Sequence, residues 1–358
     1  MSVTPLRGVA NPTDSRDREG GRGEPDPAAP AAIDLDGLHK VYDAGRGKPG
    51  KEALRSIDLT IGHGELFGLL GPNGAGKSTL INILAGLVLK TAGKARICGF
   101  DIDVHPRNAR AAIGVVPQEL SIDPFFTPRE SLDLQAGLYG VPKRERRTEK
   151  ILRDLFLTEV ADAYSRRLSG GMKRRLMVAK AMVHAPPVIV LDEPTAGVDV
   201  ELRQYLWSYI RDLNAAGTTI LLTTHYLEEA EQLCDRIAII DKGDVVACDK
   251  TNNLVRLIDR KEVSIVLADD LDAVPASLSH LDADLRTQRT LVVRYRRSDN
   301  EIAEILASVQ RAGLTILDLT TEESDLEDVF LELTGREGLR RLDEPPPPPP
   351  GRDEDMPL

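Results

Sequence analysis

Cysteine is scarce in this sequence, with three residues among 358. Cys98, Cys234 and Cys248 are odd in number and widely spaced. That pattern excludes a disulfide framework and the clustered thiols of a structural zinc site. We therefore expect buried free thiols, as in a reducing cytosol.

Long hydrophobic runs are also missing, since no apolar segment reaches the ~18 residues that would cross a bilayer. The first residues include Arg7, Asp14 and Arg16 where a signal peptide would have an apolar stretch. Together, these absences predict a soluble cytoplasmic protein.

An excess of positive charge is absent too. Lys and Arg number 46 against 57 Asp and Glu, which gives a net charge of −11. Because a protein that binds nucleic acid needs a basic surface, we expect no nucleic-acid partner. Apolar residues make up 41% of the chain, enough for a sizeable core, and the length suggests two or three domains.

Composition divides the chain into four regions. Residues 1–32 are rich in Gly, Pro, Arg and Asp and predict a disordered tail, and residues 338–358 form a Pro-rich acidic tail. Between them, residues 33–250 alternate strand-like and helical patterns, and residues 251–337 form a smaller α+β unit. The alternation predicts an α/β fold with a parallel sheet covered by helices.

Within residues 33–250, a helical insert at about 119–183 interrupts the alternation. The predicted strands are Ile33–Tyr42, Leu54–Ile61, Leu66–Leu70, Val188–Leu191, Thr218–Thr224 and Ile237–Ile240. The predicted helices are Lys77–Leu89, Arg129–Tyr139, Arg144–Phe156, Gly171–Val183, Glu201–Leu213 and Tyr226–Cys234. In the smaller unit, the predicted strands and helices are Val263–Leu267, Leu291–Tyr295, Thr315–Leu319, Ile302–Arg311 and Leu326–Leu333.

Residues Gly71–Ser78 fit the phosphate-binding pattern GxxxxGK[ST] and lie between a predicted strand and a predicted helix. Glycines let backbone N–H groups turn toward phosphate oxygens, and the start of the helix adds partial positive charge. Lys77 can reach the β- and γ-phosphates, and the Ser78 hydroxyl can bind Mg²⁺.

An apolar strand that ends in two carboxylates, Asp192 and Glu193, follows about 115 residues later. In a P-loop fold the first carboxylate holds the Mg²⁺ shell. The second can activate water as a general base.

Ser169, Gly170 and Gly171 precede another predicted helix and form a second potential anion site. Ser169 could equally be an ordinary helix cap. One nucleotide does not need two such helix starts, so either two nucleotides bind or two chains share them.

These motifs occur in the order found in ABC ATPases, and the sequence resembles that family over about 60% of its length. The resemblance implies a P-loop NTPase with a RecA-like core, an antiparallel β subdomain and a helical subdomain, followed here by a small α+β domain. The matching residues are the Walker A loop (Gly71, Pro72, Asn73, Gly74, Ala75, Gly76, Lys77, Ser78, Thr79), the Q-loop (Gln118), the signature (Ser169, Gly170, Gly171), Walker B (Asp192, Glu193), the D-loop (Asp199) and the H-loop (His225).

The segments Leu168–Leu176, Pro194–Val200 and Leu326–Gly335 resemble ATP-binding subunits of bacterial ABC-2-type exporters, particularly the YadG-like group. The resemblance implies a homodimer on a separate membrane permease at the inner face of the cell membrane, with no covalent cofactor. An ABC importer subunit or a soluble non-transport ABC ATPase remains an alternative.

By resemblance, ATP and Mg²⁺ bind between two head-to-tail copies. Ser169, Gly170, Gly171 and Asp199 would act across the dimer. Gln118 would sense Mg²⁺ and the attacking water, with Ser78 and Asp192 as further Mg²⁺ ligands. His225 would hydrogen-bond the γ-phosphate, and Tyr42 would stack on adenine.

Two residues depart from the common family pattern, because Met172 replaces a Gln and Val200 replaces a Pro. Neither change removes a catalytic group, so we expect a site competent for hydrolysis. Phe125 and Phe126 follow the Q-loop, where the family has its permease groove. We expect one ring in the core and one on that groove.

Overall fold

A computed structural model describes residues 31–43, 50–256, 261–295, 302–323 and 326–335. The predicted Pro-rich tail, the first 30 residues of the predicted N-terminal tail and most of the loop after the first strand lie outside the described residues. Ala32 is buried and its N–H donates to the Ile61 carbonyl at 2.9 Å. The chain divides into two compact units, residues 1–256 and 257–358.

The first unit contains two sheets and a set of helices. In its described part, the strands are β1 (Ile33–Tyr42), β2 (Lys51–Ile61), β3 (Leu66–Leu70), β4 (Ala92–Ile97), β5 (Phe100–Asp101), β6 (Ile113–Val116), β7 (Val188–Asp192), β8 (Thr219–Thr223), β9 (Arg236–Asp241) and β10 (Asp244–Lys250). The helices are α1 (Lys77–Leu84), α2 (Pro106–Ala111), α3 (Pro128–Leu138), α4 (Thr148–Asp154), α5 (Gly170–Met182), α6 (Val200–Ala215), α7 (Leu227–Leu233) and α8 (Thr251–Val255).

The central sheet has the order β10-β9-β3-β8-β7-β6. Its strands run parallel except for β10, which pairs antiparallel with β9. Every residue of β3, β7 and β8 is buried, which explains why these strands are nearly continuous apolar runs: both faces are covered. The parallel direction brings the carboxyl ends of β3, β6, β7 and β8 to one edge of the sheet.

The second sheet, β2-β1-β4-β5, is antiparallel and packs its apolar face into the core that also holds α1. Helix α3 begins with Pro128 and a capping box, in which Thr127 and Glu130 satisfy each other's backbone N–H. The predicted helical insert contains α3, α4 and α5, together with the 3₁₀ turns Lys143–Glu145, Thr158–Val160 and Ser165–Arg167.

The second unit has its own sheet and core. Its described elements are β11 (Lys261–Leu267), β12 (Asp282–Thr287), β13 (Thr290–Tyr295), β14 (Ile316–Glu323), α9 (Ile302–Arg311) and α10 (Leu326–Leu333). The antiparallel order is β12-β13-β11-β14. Alternate residues of β11 and β13, such as Val263 and Val293, pack with Ile305 and Val309 of α9, as period-2 strands and an amphipathic helix require.

Two predicted helices are shorter in the structure. Helix α1 ends at Leu84 rather than Leu89, because Gly86 follows with φ 71° and terminates it as a left-handed residue. The predicted helix Arg144–Phe156 becomes a single 3₁₀ turn and then α4, because Arg146 has extended backbone (φ −66°, ψ 136°).

Candidate nucleotide-binding site

The glycine-rich loop connects the end of β3 to the start of α1. A Cβ on Gly71 would lie 2.2 Å from the Ile240 carbonyl oxygen, and one on Gly76, which has φ 118°, would lie 2.6 Å from the Ala53 carbonyl oxygen. Backbone approaches at both positions therefore exclude any side chain. The loop is held in a shape that leaves Asn73 and Gly74 exposed.

Lys77, the first residue of α1, is only 8% exposed. Its Nζ donates to the carbonyl oxygens of Gly71 at 2.5 Å and Pro72 at 3.2 Å. Burial lowers the pKa of the Lys77 ammonium, although Glu193 and Asp192 oppose that effect. The ammonium is thus held by the loop that would surround phosphate.

Asp192 ends β7 and is 8% exposed. The Thr223 hydroxyl, at the end of the neighbouring β8, donates to Asp192 Oδ1 at 2.5 Å. Burial raises the pKa of the Asp192 carboxyl, while the Thr223 hydrogen bond and the nearby cations Lys77 and Arg174 oppose the rise. A divalent cation beside such a desolvated carboxylate would stabilise its ionised form.

Glu193 has a left-handed backbone, with φ 49°, which is uncommon for a non-glycine residue and clusters at functional sites. Its side chain is 11% exposed. Gln118 Nε2 donates to Glu193 Oε2 at 2.6 Å, and His225 Nδ1 lies 3.4 Å from the same oxygen. Side chains that follow β6 and β8 thus converge on one oxygen of the carboxylate that follows β7.

Two further residues support this site and were not singled out from the sequence. Thr223 Oγ1 accepts from the Glu193 N–H at 3.1 Å in addition to donating to Asp192. Arg174, 5% exposed on α5, donates to the carbonyl oxygens of Pro117 at 3.2 Å and Gln118 at 3.0 Å. The sequence features that could have indicated these two residues were a Thr at the end of a buried strand and an Arg one turn after the signature.

Tyr42 ends β1 and is 38% exposed. Its Oη lies 3.4 Å from Thr79 Oγ1 on α1, and Lys40 Nζ lies 4.7 Å from the centre of its ring. The structure therefore brings Tyr42 next to the first turn of α1, where Ser78 is exposed.

The signature and D-loop residues form a second group. Ser169 caps α5 by accepting from the Met172 N–H at 3.2 Å, and Asp199 caps α6 by accepting from the Leu202 N–H at 2.9 Å. A Cβ on Gly171 would lie 2.5 Å from Leu202 Cδ2, so the two helix starts abut. In the described part of the chain, neither cap bonds to the group around Glu193.

The remaining expectations have mixed outcomes. Phe125 and Phe126 are 71% and 37% exposed, so the prediction that one ring lies in the core is wrong.

The cysteines are free, but only Cys234 is buried, whereas Cys98 is half-buried and Cys248 is exposed. No helix in the described ranges is both long and apolar enough to span a bilayer. Over the same ranges, no three His, Cys, Asp or Glu side chains cluster as a metal site.

Comparison with known proteins identifies the chain. The family described as ABC transporter matches residues 54–196. Nod factor export ATP-binding protein I of Ralstonia nicotianae is 38% identical over 308 residues, which cover 85% of this chain and 94% of the relative. The daunorubicin resistance ATP-binding protein DrrA2 of Streptomyces coeruleorubidus is 37% identical over 294 residues, 80% and 91% of the two chains. The chain belongs to the ABC transporter family.

Solved structures agree with this assignment. An ATP-binding subunit of an ABC transporter aligns with TM-score 0.58 and 30% identity over 63% of this chain and 92% of that one. A dimeric post-hydrolysis structure of the ATP-binding cassette MJ0796, bound to ADP and Pi, aligns with TM-score 0.57 and 28% identity over 61% and 98%. The predicted fold class, ATP binding and ATPase activity are confirmed for this ABC ATPase.

Proposed function

We propose that this ABC ATPase is the ATP-hydrolysing subunit of an ABC-2-type exporter, which works as a homodimer on a separate permease at the inner face of the cell membrane. Relatives named for Nod factor export and daunorubicin resistance support export, and the match covers 91% or more of their length. We further propose that residues 33–250 form the ATP-binding domain and residues 251–337 an accessory domain.

ATP binding is assigned to the loop Gly71–Ser78 and to Tyr42. The loop N–H groups and Lys77 would hold the phosphates, since the Lys77 ammonium bonds to the loop carbonyls of Gly71 and Pro72, which phosphate oxygens can replace. The exposed ring of Tyr42 would stack on adenine. Thr79, in contact with Tyr42, completes this end of the site.

The convergence of Gln118 and His225 on Glu193 carries the proposal for hydrolysis. Glu193 would take the proton of the attacking water at Oε2, with Gln118 and His225 orienting water and γ-phosphate beside it. Ser78, Asp192 and Gln118 fit a Mg²⁺ ion, which would neutralise phosphate charge when bound.

A second copy of the chain is the proposed partner of the exposed helix starts at Ser169, Gly170 and Asp199. Val200, next to Asp199, is 65% exposed. A two-fold axis would place the helix start of α5 from one copy opposite the phosphate loop of the other. The dimeric cassette among the structural neighbours supports this arrangement.

Phe125 and Phe126 are proposed to contact the permease. Both rings are exposed and follow Gln118 by a few residues. Apolar side chains at such a place fit a partner surface better than solvent. Motion around Gln118 would thereby reach the membrane partner.

The proposal is tested by comparing wild-type protein with Glu193→Gln and with a control, Glu228→Gln, which alters an exposed glutamate of α7. We expect Glu193→Gln to lower kcat about 10²–10⁴-fold, as loss of a general base does, and to elute as an ATP-dependent dimer in size-exclusion chromatography. The control should match wild type. Undiminished hydrolysis by Glu193→Gln would contradict the assigned base, and a monomer in ATP and Mg²⁺ would contradict the shared site.

A further inference from the structure

Glu229, in the first turn of α7, is a carboxyl group with no exposed surface. Thr195 Oγ1 donates to its Oε2 at 3.0 Å, and Trp207 Nε1 donates to its Oε1 at 2.6 Å. Both carboxyl oxygens are therefore bound, each by a donor from a different part of the chain.

Both donors are uncharged, and in the described part of the chain Glu229 pairs with no Lys, Arg or His side chain. A carboxyl group buried among neutral donors is less favourable for stability than an apolar side chain of similar shape. Its advantage is geometric, because two directed hydrogen bonds fix three elements relative to one another.

Thr195 links Glu229 to the catalytic turn. It lies two residues after Glu193, is 1% exposed, and its carbonyl accepts from the Val198 N–H at 3.2 Å. The Glu193 carbonyl accepts from the Ala196 N–H in the same turn. Because Glu193 has a left-handed backbone, its conformation depends on such neighbouring anchors.

Helix α6 supplies the second link. Trp207 lies one turn after Arg203, whose guanidinium stands 4.5 Å from the centre of the Tyr226 ring. Tyr226 in turn contacts His225, with ring centres 4.3 Å apart. Helix α6 thus contacts both Tyr226, the residue beside His225, and the buried carboxyl group of Glu229, three residues after Tyr226.

We propose that Glu229 is a positioning residue that holds the Glu193 turn, the segment carrying His225 and helix α6 as one unit during hydrolysis. The inference rests on the proposed roles of Glu193 and His225. Glu229 does not touch substrate. Its contribution is to keep Glu193 Oε2 and the His225 ring at a fixed relative position while nucleotide is bound.

The test uses the full-length protein with Thr195→Val, Glu229→Met and Glu229→Gln. Thr195→Val removes one hydroxyl at nearly constant volume, and Glu229→Met removes both acceptors. Glu229→Gln can keep both bonds, because its amide oxygen accepts from the indole N–H and its amide N–H can donate to the hydroxyl of Thr195. Thr148→Val is the matched control, since Thr148 is a buried threonine that donates to Asp133 at 2.6 Å.

We expect kcat to fall about tenfold in Thr195→Val and about 100-fold in Glu229→Met, as for a misplaced catalytic group. KM for ATP should stay within about twofold in both, because the network does not touch the Lys77 loop. Glu229→Gln should restore kcat to within about threefold of wild type. Far-ultraviolet circular dichroism verifies that each variant is folded, because Trp207 itself bonds to Glu229 and its emission would respond to the loss of that bond.

The double variant Thr195→Val/Glu229→Met should be no slower than Glu229→Met alone, because Thr195 acts through the same carboxyl group. Additive losses, an unchanged kcat in Thr195→Val, or an equal loss in Thr148→Val would overturn the inference. Glu193→Gln, assayed in parallel, separates the two proposals. If it is inactive while Thr195→Val is normal, only the positioning role fails; if it is fully active, the assigned base fails.

Discussion

The two units of this protein differ in whether their charged side chains are buried or exposed. In the first unit, Lys77, Arg174 and Asp192 are 8%, 5% and 8% exposed, and Glu229 is fully buried. In the described part of the second unit, the core is apolar and the ion pairs, such as Arg289–Asp270, involve exposed groups. Burial of charge is destabilising unless each group is bound. Its concentration at one sheet edge therefore marks where the chemistry occurs.

The largest expected effect is on Lys77. Lys77→Ala should weaken ATP binding at least about 100-fold, because it removes the buried ammonium from the phosphate loop. Lys90→Ala is the control, since the Lys90 ammonium also donates to a backbone carbonyl, that of Gly93 in β4, at 2.6 Å. Calorimetric titration with ATP checks both. Equal losses would mean that loop stability, rather than phosphate contact, is being measured.

The core of the second unit offers the opposite test. Ile265 is fully buried there, and Ile265→Ala should destabilise that unit by about 2–5 kcal/mol through cavity formation. We expect kcat to stay within about twofold of wild type. Hydrogen exchange of peptides from 261–335 measures the first effect and an ATPase assay the second. If kcat fell together with hydrogen-exchange protection in the second unit, the claim that the chemistry depends on the first unit would be contradicted.

Acid should weaken the first unit through His184. Its ring stacks on Tyr139 with centres 3.7 Å apart, and burial lowers its pKa from 6.5 to about 4. The unfolded chain takes up this proton near pH 6.5 and the folded chain only near pH 4. The contribution of neutral His184 to the free energy of unfolding is therefore fully present above pH 6.5. It is lost between pH 6.5 and 4, by up to about 3 kcal/mol.

Urea unfolding at several pH values, followed by hydrogen exchange in each unit, measures this loss. His184→Phe keeps a ring for stacking but has no proton to gain, so its pH slope should be smaller. His280→Asn, at an exposed position of the second unit, should keep the wild-type slope. Identical slopes in all three proteins would refute the assignment to His184.

The smallest effect is expected at Tyr42. Tyr42→Ala should raise KM for ATP about fivefold, since an aromatic stack contributes about 1 kcal/mol. Tyr42→Phe keeps the ring and should match wild type, because the 3.4 Å contact to Thr79 is at the limit of a hydrogen bond. Steady-state ATPase assays measure KM in both. A large loss in Tyr42→Phe would assign the effect to the hydroxyl.

Elements with strong periodicity were predictable. Helices α9 and α10 have the predicted bounds, because apolar residues at helical spacing bury one face. Strand β4, Ala92–Ile97, was not predicted, since Gly93, Lys94 and Arg96 interrupt its apolar alternation. Its antiparallel pairing with β1 supplies the order that its own sequence does not encode.

Supporting residues of the site were harder to predict than the motifs. Gly71–Ser78 and Asp192–Glu193 stand out because phosphate and metal chemistry demand particular residue types at fixed spacing. Thr223 and Arg174 do not, since a hydroxyl at a strand end and an arginine on a helix are common. Only their burial and their bonds to Asp192 and Gln118 distinguish them.

The sequence by itself determined the family and the order of its motifs, because short-range spacing around a phosphate loop and a buried strand leaves a local pattern. The tertiary structure decided that Gln118, Glu193 and His225 meet at one oxygen, although 75 residues separate the first two. The reason is the sheet: parallel strands deliver their carboxyl ends to a common edge whatever the length of chain between them. The same sheet edge also brings Glu229 into contact with Thr195 in the turn that follows Glu193. No local sequence pattern indicates that contact.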